Sequence, residues 1–378
     1  MENNNSVCFL AHINEIKEIP GADNIEQAVI GGWNCIIQKD GYKVNDLVIV
    51  ATTDAVIPQQ LAEDLQVVNY LRKGNRVRTV KLRGVYSECL LIPESYLSGK
   101  TTMGHWDLGE GSDCMEILGI TKYEPPVKMV QLASGRKIRY QDNPHFHVYY
   151  KFPNLKNVPN MFNEQDTVEI TRKIHGTNAR YGIVKKTKLS IWDRIRMFFG
   201  NKWAGYDFVV GSHNVEKGSD SQGFYDTNVW YDIASKYRIK EILWLYAMNR
   251  GVDLIGDGII LYGEIYGAGI QKGYEYGLNT IKFVGFDVKV NGEYLNVIDT
   301  ELVIRDVMSL PYVDVLHYGN WSQEIQDKFV FNNFIPGTKT PEEGIVIKYF
   351  TGERQKIAKV INQDYLIFAE KHNVGDSH

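Results

Sequence analysis

The chain has 378 residues, with 42 Lys and Arg against 46 Asp and Glu and a formal net charge of -4. Hydrophobic residues make up 44% and aromatic residues 12%, a globular composition long enough for two or three domains and able to bury a full core without disulfide or metal staples. A net acidic chain is not a uniformly basic nucleic-acid coat, so any surface for nucleic acid must be local.

The first elements in chain order are short strands. Residues 7–13 form one, and residues 27–30 and 33–37 form a pair around Gly31-Gly32. Residues 46–51 are a continuous apolar run of strand length, and residues 76–82 and 89–92 complete the set. Five or six strands in under a hundred residues predict a small β-barrel over residues 1–97. Residues 98–142 are polar and turn-rich, with Pro125-Pro126, and read as a linker before a second domain at 143–378. There the strands at 167–170, 258–266, 282–290 and 344–350 outnumber the helices. Asn228 is placed to cap a helix running to about Arg250, with Gly251 as its stop and Trp230, Ile233, Ala234, Tyr237, Ile242, Leu245 and Tyr246 as its core face. The fold class is α+β, built on antiparallel strands, because helices are too few for a βαβ series.

The chemistry gathers at strand ends. Lys173-Ile174-His175-Gly176-Thr177-Asn178 puts a lysine where a strand stops, with a glycine that lets the backbone approach a ligand closely. Downstream come Tyr262-Gly263-Glu264, Phe286-Asp287, Glu342-Glu343-Gly344 leading to Lys348, and the pair Lys356 and Lys359. Each alone reads as solvated charge at a strand end.

In this order they resemble the nucleotidyltransferase motifs of the covalent lysine-AMP ligases. His175 in the first motif is similar to the RNA ligases; DNA ligases and capping enzymes usually carry Asp there. Gly211-Ser212-His213-Asn214, Glu264, Phe286-Asp287, Glu343-Gly344 and Lys356/Lys359 resemble the later motifs, so the resemblance spans about residues 145–365. The N-terminal segments around Ile19-Pro20-Gly21, Gly31-Gly32-Trp33 and residues 81–87 resemble the OB module that precedes the catalytic domain in Rnl5-type RNA ligases. The expected architecture is an OB-fold barrel followed by a nucleotidyltransferase domain, ATP-grasp-like, of antiparallel sheets with helices.

The resemblance implies an ATP-dependent RNA ligase that joins 3′-hydroxyl and 5′-phosphate ends through lysyl-AMP and an AMP-capped 5′ end, in RNA repair. Other lysine nucleotidyltransferases, such as a DNA ligase or a GTP-using capping enzyme, and a non-catalytic RNA-binding protein stay open as alternatives. Implied catalytic residues are Lys173 as nucleophile with Lys356 and Lys359. Those three, His175, Thr177, Asn178, Glu264, Phe286 and Glu343 are implied to bind ATP or AMP, with Phe286 stacking on adenine and Asp287 and His175 reaching ribose hydroxyls. Glu264 and Glu343 are implied to hold Mg²⁺ or Mn²⁺. The family spacing Lys-x-Lys is widened here to Lys356-Ile357-Ala358-Lys359, so one of the two lysines is expected to turn away.

Arg72, Lys73, Arg76, Arg78, Lys81 and Arg83 concentrate charge on the barrel; Arg76, Arg78 and Lys81, with His213, are the candidate RNA contacts. The RNA could be a nicked duplex. A second basic run, Lys185, Lys186, Lys188, Arg194, Arg196 and Lys202, encloses Ile191, Trp192, Ile195, Phe198 and Phe199 at helical spacing, expected to pack on their own domain. His145 and His147 lack a third ligand at a suitable spacing, which argues against zinc. Cys8, Cys35, Cys89 and Cys114 form no CxxC pair, disfavouring zinc ribbons and disulfide scaffolds and fitting a reducing compartment. No apolar run nears the ~18 residues of a membrane span, and the polar start lacks a secretory pattern. A cytoplasmic monomer without membrane partners is expected.

Overall fold

A computed structural model describes residues 6–72, 74–98, 108–123, 143–213, 215–217, 228–249, 256–350, 356–372 and 374. The chain divides into two compact units, residues 1–126 with 153–161, and residues 127–152 with 162–378. Lys73, Pro125-Pro126, Asn214 and Gly251, singled out in the sequence, lie outside the described residues.

The first unit is built on short antiparallel strands: β1 (Cys8–His12), β2 (Glu15–Glu18), β3 (Ile25–Ile30), β4 (Trp33–Gln38), β5 (Leu47–Thr52), β6 (Ala55–Val56), β7 (Val80–Leu82), β8 (Val85–Ser87), β9 (Cys89–Pro93) and β10 (Thr121–Lys122). They pair in the orders β1-β5-β9, β2-β3-β4, β7-β8 and β10-β6. Ile30 pairs with Trp33 across the expected Gly31-Gly32 turn, where Gly31 has φ +55°. The apolar run of β5 has a physical reason: Ile49 and Ala51 enter one core, Val48 and Val50 a second, so the central strand is covered on both faces. Helix α1 (Gln59–Asp64) buries Leu61 and Ala62 in the first of these cores.

Part of the stretch expected to be linker belongs to this unit. Cys114, Leu118 and Ile120 are buried in its first core, helix α2 (Met115–Leu118) ends at Gly119 in the left-handed region, and β10 pairs with β6. The four cysteines are buried and free, and the fold brings Cys35 Sγ to within 3.1 Å of the Cys89 carbonyl oxygen.

The second unit holds two larger antiparallel sheets. One has the order β18-β11-β19-β20, from β11 (Thr167–Lys173), β18 (Val315–Asn320), β19 (Gly344–Tyr349) and β20 (Ile357–Ile361). The other has the order β14-β13-β12-β15-β16-β17, from β12 (Thr177–Lys185), β13 (Tyr206–Gly211), β14 (Glu216–Lys217), β15 (Gly258–Gly267), β16 (Ile281–Val290) and β17 (Glu293–Tyr294). Alternation along the six-stranded sheet sends Ala179, Tyr181, Ile183, Ile259, Leu261, Ile265, Phe283 and Val288 into the main core. The opposite face is covered partly by Phe146 and Tyr149.

The long helix expected after Asn228 is two helices. Following α3 (Ile191–Phe198), α4 (Val229–Lys236) ends before Arg238, which has φ +53°, and α5 (Ile239–Asn249) restarts on a new phase. The restart buries Ile239, Leu243 and Ala247 and leaves Leu245, expected in the core, 57% exposed. Helices α6 (Val297–Glu301), α7 (Gln323–Val330) and α8 (Gln363–Lys371) complete the unit, each with an Asn or Ser side chain accepting a backbone N–H at its N-cap.

Candidate active site

Lys173 ends β11 and Thr177 begins β12, so residues 174–176 carry the chain from one sheet to the other. Gly176 sits where a side chain has no room: a Cβ there would lie 2.2 Å from the Ile265 carbonyl oxygen and 2.9 Å from Glu264 Cγ. The Gly176 carbonyl accepts a hydrogen bond from Gln271 Nε2. Tyr276 clasps the neighbouring peptide, its hydroxyl accepting from His175 N at 2.7 Å and donating to His175 O at 2.9 Å. This anchoring fixes where the Lys173 side chain leaves the sheet.

Lys173 Nζ donates to Glu343 Oε1 at 2.5 Å. The other carboxylate oxygen is 3.7 Å from His175 Nδ1, and His175, buried, lies 3.1 Å through that nitrogen from the Tyr365 hydroxyl of α8. The expected Lys173–Glu343 grouping therefore forms, with His175 as its inner neighbour.

Register decides between the two downstream lysines. Directly paired residues of antiparallel strands share a face, and alternate residues return to it. Thr171 pairs with Val346 and Val346 with Lys359, which puts Lys359 on the face that carries Lys173. Lys356 lies before β20, opposite Tyr349, on the reverse face. Its Nζ stands 5.1 Å from the Tyr349 ring centre and 3.9 Å from Asp166. The expectation that Lys356 joins Lys173 is corrected: an even offset of residues is required, and Lys356 has an odd one.

On the six-stranded sheet Asn178 pairs with Glu264 and Glu264 with Val284, again on one face. A β-bulge follows, because Tyr262 pairs with Asp287 but Gly263 with Gly285, leaving Phe286 as the extra residue. Phe283 goes to the main core, while Phe286 and Asp287 both turn to the Asn178–Glu264 side, where Phe286 packs 5.0 Å edge-on to Tyr149. Thr177, one residue before Asn178, is on the other side and buried.

The site-bearing faces of the two sheets meet through Lys348. It shares the Lys173 face, and its Nζ donates to Phe286 O at 2.6 Å and to Asp287 Oδ2 at 3.2 Å. Asp287 also accepts from the Tyr149 hydroxyl at 2.9 Å and is 1% exposed. Its expected contact to a ribose hydroxyl is thus replaced by a buried ion pair that joins the sheets. Beside it Glu169 pairs with Lys348 in register, fully buried, and accepts from the Tyr312 hydroxyl at 3.1 and 3.2 Å. Burial pushes the Glu169 carboxyl up to about 7, against the opposing pull of Lys348 and the Tyr312 hydrogen bond. Sequence reasoning missed Glu169, Lys348 and Tyr149 as a group; an acid between Val168 and Ile170 on an apolar strand was the available signal.

Two buried oxygen acceptors at the site, Asn178 Oδ1 and Glu343 Oε2, receive no hydrogen bond. With Glu264 across the ladder from Asn178, these are hard oxygen donors of the type a hydrated divalent cation takes. Among the described residues no three His, Cys, Asp or Glu side chains converge as a self-sufficient metal cluster. His145 and His147 do meet a third group, Asp257, at 2.6 and 3.4 Å, but the shorter contact is a hydrogen bond, not two ligands around an ion.

The sequence matches two family models: one described as an OB-fold domain over residues 7–94, and one described as RNA ligase over residues 166–361, just over half of the chain. The chain belongs to the RNA ligase family. Comparison with curated proteins finds no match. Among solved structures, this ligase resembles Naegleria gruberi RNA ligase. A variant with AMP and Mn gives a TM-score of 0.70 at 22% identity, covering 97% of this chain and 99% of that one. The same enzyme with PPi gives 0.68 at 22% over 97% and 99%. The shared fold covers both units, as the N-terminal OB module and the antiparallel nucleotidyltransferase sheets led one to expect.

The remaining candidates are His213 in the second unit and three basic residues in the first. His213 is two residues past β13, next to Ser212, whose carbonyl accepts from the buried Arg180 Nε at 2.7 Å. In the first unit Arg76 is engaged by Asp54 and lies 4.0 Å from the Tyr123 ring centre. Arg78 donates to Tyr70 O at 3.1 Å, and exposed Lys81 donates to the Tyr86 hydroxyl at 2.8 Å. Arg76 is therefore committed to the barrel's own structure.

Proposed function

We propose that this ligase seals RNA 3′-hydroxyl and 5′-phosphate ends with ATP through a covalent AMP on Lys173. The observation that carries the reading is Lys173 at the strand end, held against Glu343, on the face that meets Asn178, Glu264 and Phe286 through Lys348. Lys173 Nζ attacks the α-phosphorus of ATP; an N–P bond forms, the α–β P–O bond breaks and pyrophosphate leaves. Glu343 Oε1, already hydrogen-bonded to the amine, takes its proton. An oxygen of the RNA 5′-phosphate then displaces the lysine, giving an AMP-capped end. Attack by the RNA 3′-hydroxyl on that phosphate forms the phosphodiester and expels AMP.

Lys359 supplies positive charge to the α-phosphate during transfer. Phe286 offers its half-buried ring to adenine. A divalent cation, Mg²⁺ or Mn²⁺, would be held by Glu264 with Asn178 Oδ1 and Glu343, and supplies charge neutralisation on the phosphates. The Naegleria gruberi structures with ATP and Mn and with AMP and Mn support this choice of nucleotide and ion type. Arg78 and Lys81 of the OB unit offer charge to the RNA backbone. The role that fits is repair of broken RNA by a monomer, with a nicked duplex among its substrates.

The test is ligation of nicked duplexes with RNA or DNA on each side of the nick, with ATP or GTP. Sealing of RNA ends with ATP is expected; sealing of DNA alone, or with GTP alone, defeats the reading.

A further inference from the structure

Helix α3 leaves its apolar residues exposed, contrary to the expectation that this face packs on its own domain, while Met197 on its other side meets Gly205. None of its residues is buried. Ile191 is 76% exposed, Trp192 71%, Phe198 85% and Phe199 81%. At 100° per residue, Ile191, Trp192, Ile195, Phe198 and Phe199 form one stripe about 120° wide. Arg194 and Arg196 flank that stripe on its two sides. The polar side is tied back to the protein: Ser190 and Asp193 form a reciprocal cap, and Asp193 Oδ1 accepts from Lys186 Nζ at 3.0 Å. The sole acid of the segment is thereby neutralised inward, while Arg194 and Arg196 beside the stripe, and Lys185, Lys188 and Lys202 in the flanking segments, are exposed.

We propose that α3 lies on an anionic lipid surface, holding the ligase to a membrane as a peripheral protein. An apolar stripe rimmed by long cations, with Trp and Phe at its edges, is the pattern of an interfacial helix: the rings and Ile side chains enter the acyl boundary and the arginines reach the headgroups. Ile191 and Ile195 in mid-stripe cannot stack on bases, and a convex helix offers no groove to a single strand, so lipid fits better than RNA. The helix is far too short to span, and no described helix is long and apolar enough to do so.

The full chain is pelleted with vesicles of phosphatidylcholine alone and of phosphatidylcholine mixed with phosphatidylglycerol. It is expected to bind the mixed vesicles and not the neutral ones, with binding falling as salt rises. Arg194→Gln with Arg196→Gln is expected to weaken binding about thirtyfold, from two lost headgroup attractions. Trp192→Ser with Phe198→Ser is expected to abolish it, with thermal unfolding and RNA sealing unchanged. Failure to bind mixed vesicles, equal binding by the variants, loss of RNA affinity in the same variants without vesicle binding, or concentration-dependent self-association that hides the stripe would each overturn the proposal.

Discussion

Lys359 and Lys173 project from the same face of one sheet although they stand on β20 and β11, with β19 between them. The three-residue step from Lys356 to Lys359 puts the former on the reverse face. Lys359→Ala is expected to lower the rate of AMP transfer to the protein by about 100- to 1,000-fold, the size of losing a fixed donor at a reacting phosphate. Lys356→Ala, losing a 3.9 Å contact from a half-exposed lysine to the buried Asp166 on the reverse face, is expected to stay within about twofold. Single-turnover adenylation of both variants measures the contrast; equal losses would show that the register argument misassigns them.

Gly176 admits no side chain because the Ile265 carbonyl occupies the space a Cβ would need. Gly176→Ala must shift β12 against β15 and is expected to cost about 1–3 kcal/mol. Urea unfolding measures this, and adenylation should fall with it because the Lys173 turn moves. An unchanged midpoint would mean the turn can relax freely.

Glu169 gives the fold a pH dependence with a definite sign. Its carboxyl titrates near 7 when folded and at the ordinary 4.5 when unfolded, so between those values the folded state holds the proton more tightly. Its contribution is full below pH 4.5 and is lost as pH rises through about 7, about 3 kcal/mol in all. Glu169→Gln keeps an acceptor for Tyr312 and cannot ionise, so its stability relative to the parent should rise from pH 4.5 to 7. A stability difference that is flat with pH would contradict this.

The Lys348–Asp287 pair is expected to behave as a buried ion pair. Lys348→Met strands the Asp287 charge and should destabilise by about 3–5 kcal/mol. Adding Asp287→Leu should recover part of that loss, since the stranded Asp287 charge is removed. A chemical-unfolding double-mutant cycle reads the coupling directly; purely additive losses would deny it.

The Lys173 turn and half of the strands were legible because Lys173, Gly176, Glu264 and Glu343 are local features of strand ends, and alternation marks a two-faced sheet. Other relations were not, because they are set by register between distant strands. The side taken by Lys359 depends on its pairing with Val346, and the side taken by Phe286 on a bulge opposite Gly263. Asp287 was misplaced for the same reason: its partners, Tyr149 and Lys348, are 138 and 61 residues away. The break at Arg238 hid because arginine gives no local warning of a positive φ.

The central claim is tested by incubating the ligase with ATP labelled on the α-phosphate and a divalent cation, then mapping the label by peptide mass spectrometry. The account predicts one AMP on Lys173, absent from Lys173→Ala. Label on another residue, or an undiminished adduct in Lys173→Ala, would contradict it.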